Sequence, residues 1–166
     1  MQKTALIPVA DGIEEIEAVT LVDVLRRGGV QVTVASVGVL EITGAHAIKL
    51  KADCLIGDCT GHAYDLIALP GGLPGAEHLR DCKPLVKMLR EQSSAGRLTA
   101  AICASPAVVL AHHGLLEDCK AVCYPSMMDR LPHRGCGRVV ADGGYVTSQG
   151  PGTAMEMALD LVERLC

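Results

Sequence analysis

The sequence of 166 residues contains no phenylalanine, no tryptophan and only three tyrosines. Since 49% of the residues are hydrophobic, the core has to be built from aliphatic side chains, methionine and cysteine. Almost no aromatic side chains are available to stack on nucleic-acid bases. The net charge is −4, so the chain also lacks a basic surface for a phosphate backbone. We therefore expect no nucleic-acid partner.

Long apolar runs and targeting signals are missing as well. No stretch approaches the length of a membrane span, and the short apolar run near the N-terminus is not a signal peptide. We expect no membrane partner and a cytoplasmic location. In a reducing compartment the eight cysteines should be mostly free thiols. They form no C-x-x-C pattern, and the pairs Cys54 and Cys59 or Cys119 and Cys123 do not have spacings typical of zinc ligands. No metal is expected.

Apolar runs alternate with helical patterns along the chain. Pro8 is unusual in a buried strand because it removes a ladder donor. Strands are predicted over residues 4–10, 30–36, 65–69, 98–102, 120–124, 138–141 and 145–148, with a hairpin-like excursion over 39–50. Helices are predicted over residues 14–27, 76–80, 83–94, 106–113 and 153–165. The buried stripes are expected to be Ile16, Val19, Val22 and Leu25 on the first helix and Met155, Ala158, Leu159 and Val162 on the last.

This alternation predicts an α/β fold in which a mostly parallel sheet is covered by helices on both faces. The length corresponds to a single domain over residues 1–166. In such sheets the ligand crevice lies beyond the carboxyl ends of the strands. Three loops that directly follow buried strands, residues 11–17, 70–75 and 103–105, should therefore meet at one edge.

The segment 98–113 has the layout of a nucleophile elbow, in which a buried strand leads through a sharp turn at Cys103 into a helix. The small side chains of Ala101 and Ser105 suit a strained turn that passes close to its neighbours. A helix N-terminus also favours the thiolate form of a cysteine. The alternative interpretation is that Cys103 is one more buried cysteine of the core.

Other residues of the converging loops are candidates to assist this thiol. Glu17 could hold or move a proton, and burial beside a thiolate would raise its pKa. Glu14 and Glu15 are interpreted as surface acids that complement the helix dipole. Gly71 and Gly72 allow backbone N–H groups to approach an oxyanion, although a Gly-Gly pair is equally consistent with a plain turn.

Four segments, ALIPVADGIEEIEAV, DLIALPGG, AAICASPA and TSQGPGT, together resemble the ThiJ/PfpI superfamily, most closely its Parkinson-disease-protein-7 and YajL-like branch. The resemblance runs from about residue 5 to residue 165, with the segments in the family's order. It implies a flavodoxin-like three-layer sandwich of the class I glutamine amidotransferase type, and a homodimer.

The resemblance also implies roles for individual residues. Cys103 matches the reactive, oxidation-prone cysteine, and Glu17 matches a protonated glutamate that hydrogen-bonds the sulfur or its sulfinate. Gly72 and Ala104 match positions whose backbone N–H groups point at that sulfur. No cofactor is implied. The pocket around the sulfur is expected to include Gly71, Tyr124 and Pro151.

The sequence departs from the family pattern in four places. Tyr124 stands where the branch that acts on methylglyoxal often has a histidine, although a phenol can still donate a hydrogen bond. Ala104 follows the nucleophile where peptidase-like members carry histidine. His46 stands where relatives often have an arginine near the dimer interface. The sequence ends at Cys166, where larger relatives have a further helix, so a more open pocket or dimer edge is expected.

Two functions of different classes follow from this resemblance. The first is a cofactor-independent glyoxalase III or deglycase that acts through Cys103 on small 2-oxoaldehydes such as methylglyoxal, or on glycated proteins. The second is a redox sensor or holdase chaperone switched by oxidation of Cys103 to the sulfinate. A cysteine peptidase or amidase is a weaker alternative, which Ala104 disfavours.

Overall fold

Apolar runs of four to six residues build the centre of one sheet in the computed structural model, which describes residues 2–166. The sheet order is β5-β2-β1-β6-β7-β9-β8, and every neighbouring pair is parallel except β8 and β9. These strands are β1 (Thr4–Val9), β2 (Gln31–Ser36), β5 (Cys54–Leu55), β6 (Leu66–Leu69), β7 (Leu98–Ile102), β8 (Val139–Asp142) and β9 (Tyr145–Ser148). The predicted excursion is an antiparallel hairpin of β3 (Glu41–Thr43) and β4 (Lys49–Lys51).

Helices cover the sheet on both faces, which confirms the predicted flavodoxin-like sandwich. The helices α1 (Glu15–Arg27) and α4 (Ala154–Leu165) pack against each other. A second group of packed helices consists of α2 (Gly75–Asp81), α3 (Lys83–Ser94) and the π-helix Pro106–Ala111. Short 3-10 helices lie at Ile56–Cys59, Pro125–Arg130 and Pro151–Thr153.

The core is aliphatic, as the composition requires. The largest side chains that are fully withdrawn from solvent are all leucine or isoleucine, and strands β6 and β7 are buried along nearly their whole length. All eight cysteines are free thiols. Within residues 2–166, none of the helices is both long enough and apolar enough to cross a membrane.

Pro8 lies inside β1 without breaking the sheet. Alternate residues of a strand direct their backbone groups to opposite neighbours, and the carbonyls of Lys3 and Val9 accept bonds from the β2 side. Pro8 is therefore directed toward β6, whose pairing with β1 extends only over Ala5 and Leu6. The missing N–H of Pro8 falls beyond the last pair of that ladder.

The prediction of which residues are buried on the first and last helices is wrong in part. Ile16 and Leu159 are more than half exposed, at 57% and 56%, and Val19 and Met155 are exposed as well. Leu25 and Ala158 are buried as predicted, while Val22 and Val162 are partly buried. The two helices pack on each other. Other residues form their buried faces, which are Ala18, Leu21, Met157 and Leu161.

Two predicted elements near the elbow also differ in the structure. Residues 120–124 are not a strand, because their N–H groups bond elsewhere: that of Val122 donates to the Thr147 hydroxyl and that of Tyr124 to the carbonyl of Cys103. Only an isolated bridge between Ala121 and Arg134 remains. The helix after the elbow is wound as a π-helix over Pro106–Ala111.

Candidate active site

Cys103 occupies the sharp turn between β7 and the π-helix. Its φ angle is +62°, a left-handed conformation that a non-glycine residue adopts only when its surroundings hold it there. Its N–H donates to the carbonyl of Ser148 at 3.0 Å, and its carbonyl accepts from the N–H of Tyr124 at 2.7 Å. These two bonds fix the turn from opposite sides. The predicted nucleophile elbow is therefore present in its strained form.

The loops after β1, β6 and β7 meet around this cysteine, as the parallel sheet predicts. The N–H of Gly71 donates to Oε2 of Glu17 at 2.7 Å, and the carbonyl of Gly71 accepts from the N–H of Glu14 at 3.0 Å. The hydroxyl of Ser105 donates to the carbonyl of Pro70 at 2.5 Å. Hydrogen bonds thus join the three loops into one unit.

Gly71 has to be a glycine for the site to close. A Cβ atom at this position would lie 2.6 Å from Cβ of Cys103 and 2.9 Å from both the N of Ala104 and Oε2 of Glu17. Real side chains do not tolerate such contacts. The absence of a side chain at Gly71 is therefore what lets the carboxyl and the thiol approach each other.

The thiol of Cys103 is almost completely buried, with 9% of the residue exposed. Burial and the negative charge of Glu17 raise its pKa to about 12. The N–H groups of Gly72 and Ala104 interact with the sulfur and oppose this rise in the pKa. The resemblance implied backbone donors at these two positions.

Glu17 is fully buried, although it follows the exposed Ile16 on the same helix. Burial raises the pKa of the Glu17 carboxyl to about 7, the hydrogen bonds from Gly71 and Cys103 oppose this rise, and the charge of Glu14 adds to it. Its second oxygen, Oε1, is buried without a hydrogen-bond partner among residues 2–166. Near neutral pH this carboxyl can therefore hold a proton, as an acid must do to donate it.

The carboxyl and the thiol are coupled, because each disfavours a second negative charge next to its own. Protonation of Glu17 removes the charge that raises the pKa of the Cys103 thiol, and the neutral acid can then donate a hydrogen bond to the sulfur. Between the pKa of Glu17 near 7 and that of Cys103 near 12 the pair carries one negative charge. Within that charge state, the form with a thiolate is the one in which Glu17 is protonated.

Glu14 and Glu15 are not surface acids, contrary to the sequence-based interpretation. Both are buried, and Oε1 of Glu15 accepts from the N–H groups of His46 and Ile48 in the β3–β4 hairpin. These hydrogen bonds lower the pKa of Glu15 despite its burial. Within residues 2–166, Glu14, Glu15 and His46 form the one cluster of potential metal ligands, with ligand atoms within 4.8 Å of one another. Two backbone donors already occupy the Glu15 carboxylate.

Tyr124 and Pro151 lie together at a surface rim. They line a shallow surface depression with Arg138 and Gln149. Tyr124 is 45% exposed, and its backbone, through the bond to the carbonyl of Cys103, ties this rim to the elbow. Gly71, another of the predicted pocket residues, is packed directly against Cys103.

Two supporting residues were not predicted from the sequence. The hydroxyl of Ser105 binds the β6 loop, and the carbonyl of Ser148 at the end of β9 holds the N–H of Cys103. Ser105 stood out only as a small side chain. The role of Ser148 depends on the register of β7 with β9, which no local sequence pattern reveals.

A strained cysteine at the carboxyl edge of a flavodoxin-like sheet, next to a buried carboxyl, places the chain in the class of α/β proteins with a cysteine at the elbow between a strand and a helix. The sequence profile of the DJ-1/PfpI family matches residues 3–164, so this chain belongs to the DJ-1/PfpI family.

Proteins of several organisms are similar to the chain over nearly all of its length. Protein DJ-1 homolog B of Arabidopsis thaliana is 53% identical over 98% of the chain, which spans only 38% of that relative's length. The glutathione-independent glyoxalase DJR-1.2 of Caenorhabditis elegans is 38% identical over 99% of the chain and 89% of the relative. The structure of oxidized Toxoplasma gondii DJ-1 superposes with a TM-score of 0.97 at 50% identity, covering 98% of this chain and 90% of that one.

The raised pKa of Glu17 predicts a pH-dependent stability. The carboxyl ionises near pH 4.5 in the unfolded chain and near pH 7 in the folded one, so folding favours the protonated form. The free energy of unfolding should fall relative to that of Glu17→Gln by about 3 kcal/mol between pH 4.5 and about pH 8. Urea unfolding curves of both proteins across this range measure the difference.

The exposed Glu117 provides the matched control. Glu117→Gln should follow the wild-type profile across the whole range. A difference between wild type and Glu17→Gln that stays constant with pH would show that the Glu17 carboxyl does not hold a proton in the folded protein.

Proposed function

We propose that this protein is a cysteine-dependent, glutathione-independent glyoxalase that converts small 2-oxoaldehydes such as methylglyoxal into 2-hydroxy acids. The observation that carries the proposal is the close approach of Cys103 and the Glu17 carboxyl on the two sides of Gly71, where burial raises the pKa of that carboxyl to about 7. The name of the Caenorhabditis elegans relative, a glutathione-independent glyoxalase, supports the same reaction class. The same site could also act as a deglycase, whose substrates are the adducts that these aldehydes form with proteins.

In the first step the thiolate of Cys103 attacks the aldehyde carbon of the substrate. The carbon–sulfur bond forms while the carbonyl π bond breaks, and the oxygen takes up the electron pair. We assign the stabilisation of this negative charge to the N–H groups of Gly72 and Ala104. Glu17 donates its proton to the oxygen, which gives a neutral hemithioacetal and leaves the carboxylate.

In the second step the Glu17 carboxylate removes the proton from the former aldehyde carbon and returns it to the neighbouring carbon, while the hydroxyl proton on the first carbon moves to the oxygen on the second. The hemithioacetal thereby becomes the thioester of a 2-hydroxy acid, without an external oxidant. Water then cleaves the thioester and restores the thiol of Cys103. For methylglyoxal the sum of the steps is the addition of one water to give lactate.

Tyr124 is proposed to act at the entrance rather than in the proton transfers. Its exposed side chain lies at the rim with Pro151, and its backbone supports the elbow. A phenol in place of the family histidine can donate a hydrogen bond to the substrate but is a poor base at neutral pH. The proton transfers are therefore assigned to Glu17.

Substitutions of the two central residues test the glyoxalase proposal. Glu17→Gln should lower kcat/KM for methylglyoxal by about 10²-fold or more, because the amide cannot accept and return the proton. Cys103→Ser should remove the activity, since the covalent intermediate no longer forms. Lactate production by purified, fully reduced proteins measures both effects.

Cys119→Ser, which changes another buried cysteine, should retain wild-type activity and serves as the control. If reduced wild-type protein makes no lactate, the proposal is wrong. Equal activity in wild type, Cys103→Ser and Glu17→Gln would mean that the measured turnover does not come from this site.

A redox sensor or holdase is the second candidate, favoured by the unpartnered Oε1 of Glu17. Two-step oxidation of Cys103 by peroxide yields a sulfinate, and each step consumes one hydrogen peroxide and releases one water. A sulfinate could accept hydrogen bonds from the N–H groups of Gly72 and Ala104 and from protonated Glu17. The similar structure of Toxoplasma gondii DJ-1 is of an oxidized protein, which supports oxidation chemistry in this fold.

Mild peroxide treatment followed by mass spectrometry tests the sensor function. The expected product is a stable sulfinate on Cys103 with the other seven cysteines largely unoxidised, and Glu17→Ala should allow further oxidation to the sulfonate. Stoichiometric sulfinate together with negligible lactate production would favour the sensor over the glyoxalase. Indiscriminate oxidation of all exposed thiols would count against a sensor at Cys103.

We also propose that the protein forms a homodimer in the reducing cytoplasm. The supporting observation is the exposed apolar side chains on the packed helices α1 and α4. They are Ile16, Val19, Met155 and Leu159. Single apolar residues on a surface are ordinary, but four of them on two adjoining helices suit a second copy of the chain.

We do not propose a cysteine peptidase or amidase, because Ala104 follows Cys103 where peptidase-like members of the family carry histidine.

A charge placed among these side chains should break the dimer. Leu159→Glu is expected to shift the wild-type dimer to a monomer, because burying an unpaired carboxylate at an interface is costly. Size-exclusion chromatography with light scattering measures the mass. Leu55→Glu, at an exposed apolar residue of the edge strand β5, is the control and should remain dimeric. A monomeric wild-type protein would refute the dimer.

A further inference from the structure

Cys54 and Cys59 bring their sulfur atoms to 3.6 Å from each other. Cys54 begins the edge strand β5, and Cys59 ends the 3-10 helix that follows. Within residues 2–166 this is the one hydrogen-bonding contact between two cysteines. No step of the proposed glyoxalase or sensor chemistry uses this pair.

We propose that Cys54 and Cys59 form a reversible disulfide when the protein meets an oxidised low-molecular-weight thiol such as glutathione disulfide. A disulfide has an S–S length near 2.05 Å, so the two sulfurs need to approach by only about 1.5 Å. The backbone between them is a single 3-10 turn. Strand β5 is two residues long and pairs only with β2, so a small shift disturbs little of the sheet.

The two thiols differ in accessibility, which assigns their roles. Cys54 is partly exposed, while Cys59 is 2% exposed. The thiolate of Cys54 attacks one sulfur of glutathione disulfide, forming a mixed disulfide and releasing one glutathione. Cys59 then attacks the sulfur of Cys54 and releases the second glutathione. Two protein thiols are oxidised, one glutathione disulfide is reduced, and the two thiol protons leave on the two glutathione molecules.

The environment of Cys54 makes this reaction slow at neutral pH. Burial, the thiol of Cys59 and the acidic side chains of Asp58 and Asp53 raise the pKa of Cys54 to about 11. Since the thiolate is the nucleophile, the rate should increase about tenfold per pH unit from pH 7 to pH 9. For an ordinary thiol with a pKa near 8.5, the rate would already level off over this pH range.

The disulfide is independent of the candidate active site. Strands β5 and β7 are separated by three strands, which places them about 19 Å apart at the usual spacing of 4.8 Å. The chemistry also differs, because thiols reduce a disulfide but do not reduce a sulfinate. The pair would therefore respond reversibly to the thiol pool, whatever the function of Cys103.

Trypsin provides a direct measurement, because cleavage after Lys51 and Arg80 releases residues 52–80 with these two cysteines and no other. Intact protein is incubated with glutathione disulfide, alkylated and digested. The expected product is an unalkylated 52–80 peptide, lighter than the dithiol by two hydrogens, that becomes doubly alkylated after dithiothreitol. Cys103→Ser should give the same product at the same rate, which separates this result from the proposed glyoxalase.

The single variants complete the test. Cys54→Ser should leave Cys59 reduced and alkylatable after unfolding, and Cys59→Ser should stop at a glutathione adduct on Cys54. Cys82→Ser, at a cysteine outside the peptide, should behave as wild type. The proposal is wrong if wild-type protein keeps both cysteines alkylatable, retains the glutathione adduct, or links either cysteine to one outside residues 52–80.

Discussion

A buried carboxyl and a buried thiol lie side by side in this protein, and a negative charge on the carboxyl disfavours one on the thiol. Much of the surrounding structure brings the two groups together. Burial disfavours the charged form of each group and raises the pKa of both. The N–H of Gly71 donates to the carboxyl of Glu17, and the N–H groups of Gly72 and Ala104 oppose the rise in the pKa of the Cys103 thiol. All of these donors are backbone groups, so they keep their positions when the charge moves.

The close approach of the loops depends on small residues at the carboxyl edge of the sheet. Gly71 leaves room for Cys103 and Glu17, and Gly75 packs against the backbone of Ile13. The hydroxyl of Ser105 connects the elbow to the loop after β6. The site is thus a property of three loops at once, which the parallel order of β1, β6 and β7 places side by side.

The sequence predicted the features that depend on local pattern. Continuous apolar runs located the central strands, and the small residues around Cys103 indicated the elbow. The π-helix after it was not predictable, because Pro106–Leu110 are all buried and leave no polar face that would define a helical period.

Features that depend on distant partners were missed. Glu15 is buried because the β3–β4 hairpin supplies N–H donors from His46 and Ile48, far along the chain. The exposed Ile16 and Leu159 each lie at helical spacing from other apolar residues of their own helix. Such spacing alone does not distinguish a face in the core from an apolar face on the surface.

The left-handed backbone of Cys103 has a consequence for how this protein could change. A positive φ at a residue with a side chain costs on the order of 1–3 kcal/mol, which glycine would not incur. A screen that rewards heat resistance alone would therefore favour replacing the cysteine, and with it the chemistry. Persistence of a thiol at such a position requires selection for what the sulfur does, in opposition to selection for a more stable fold.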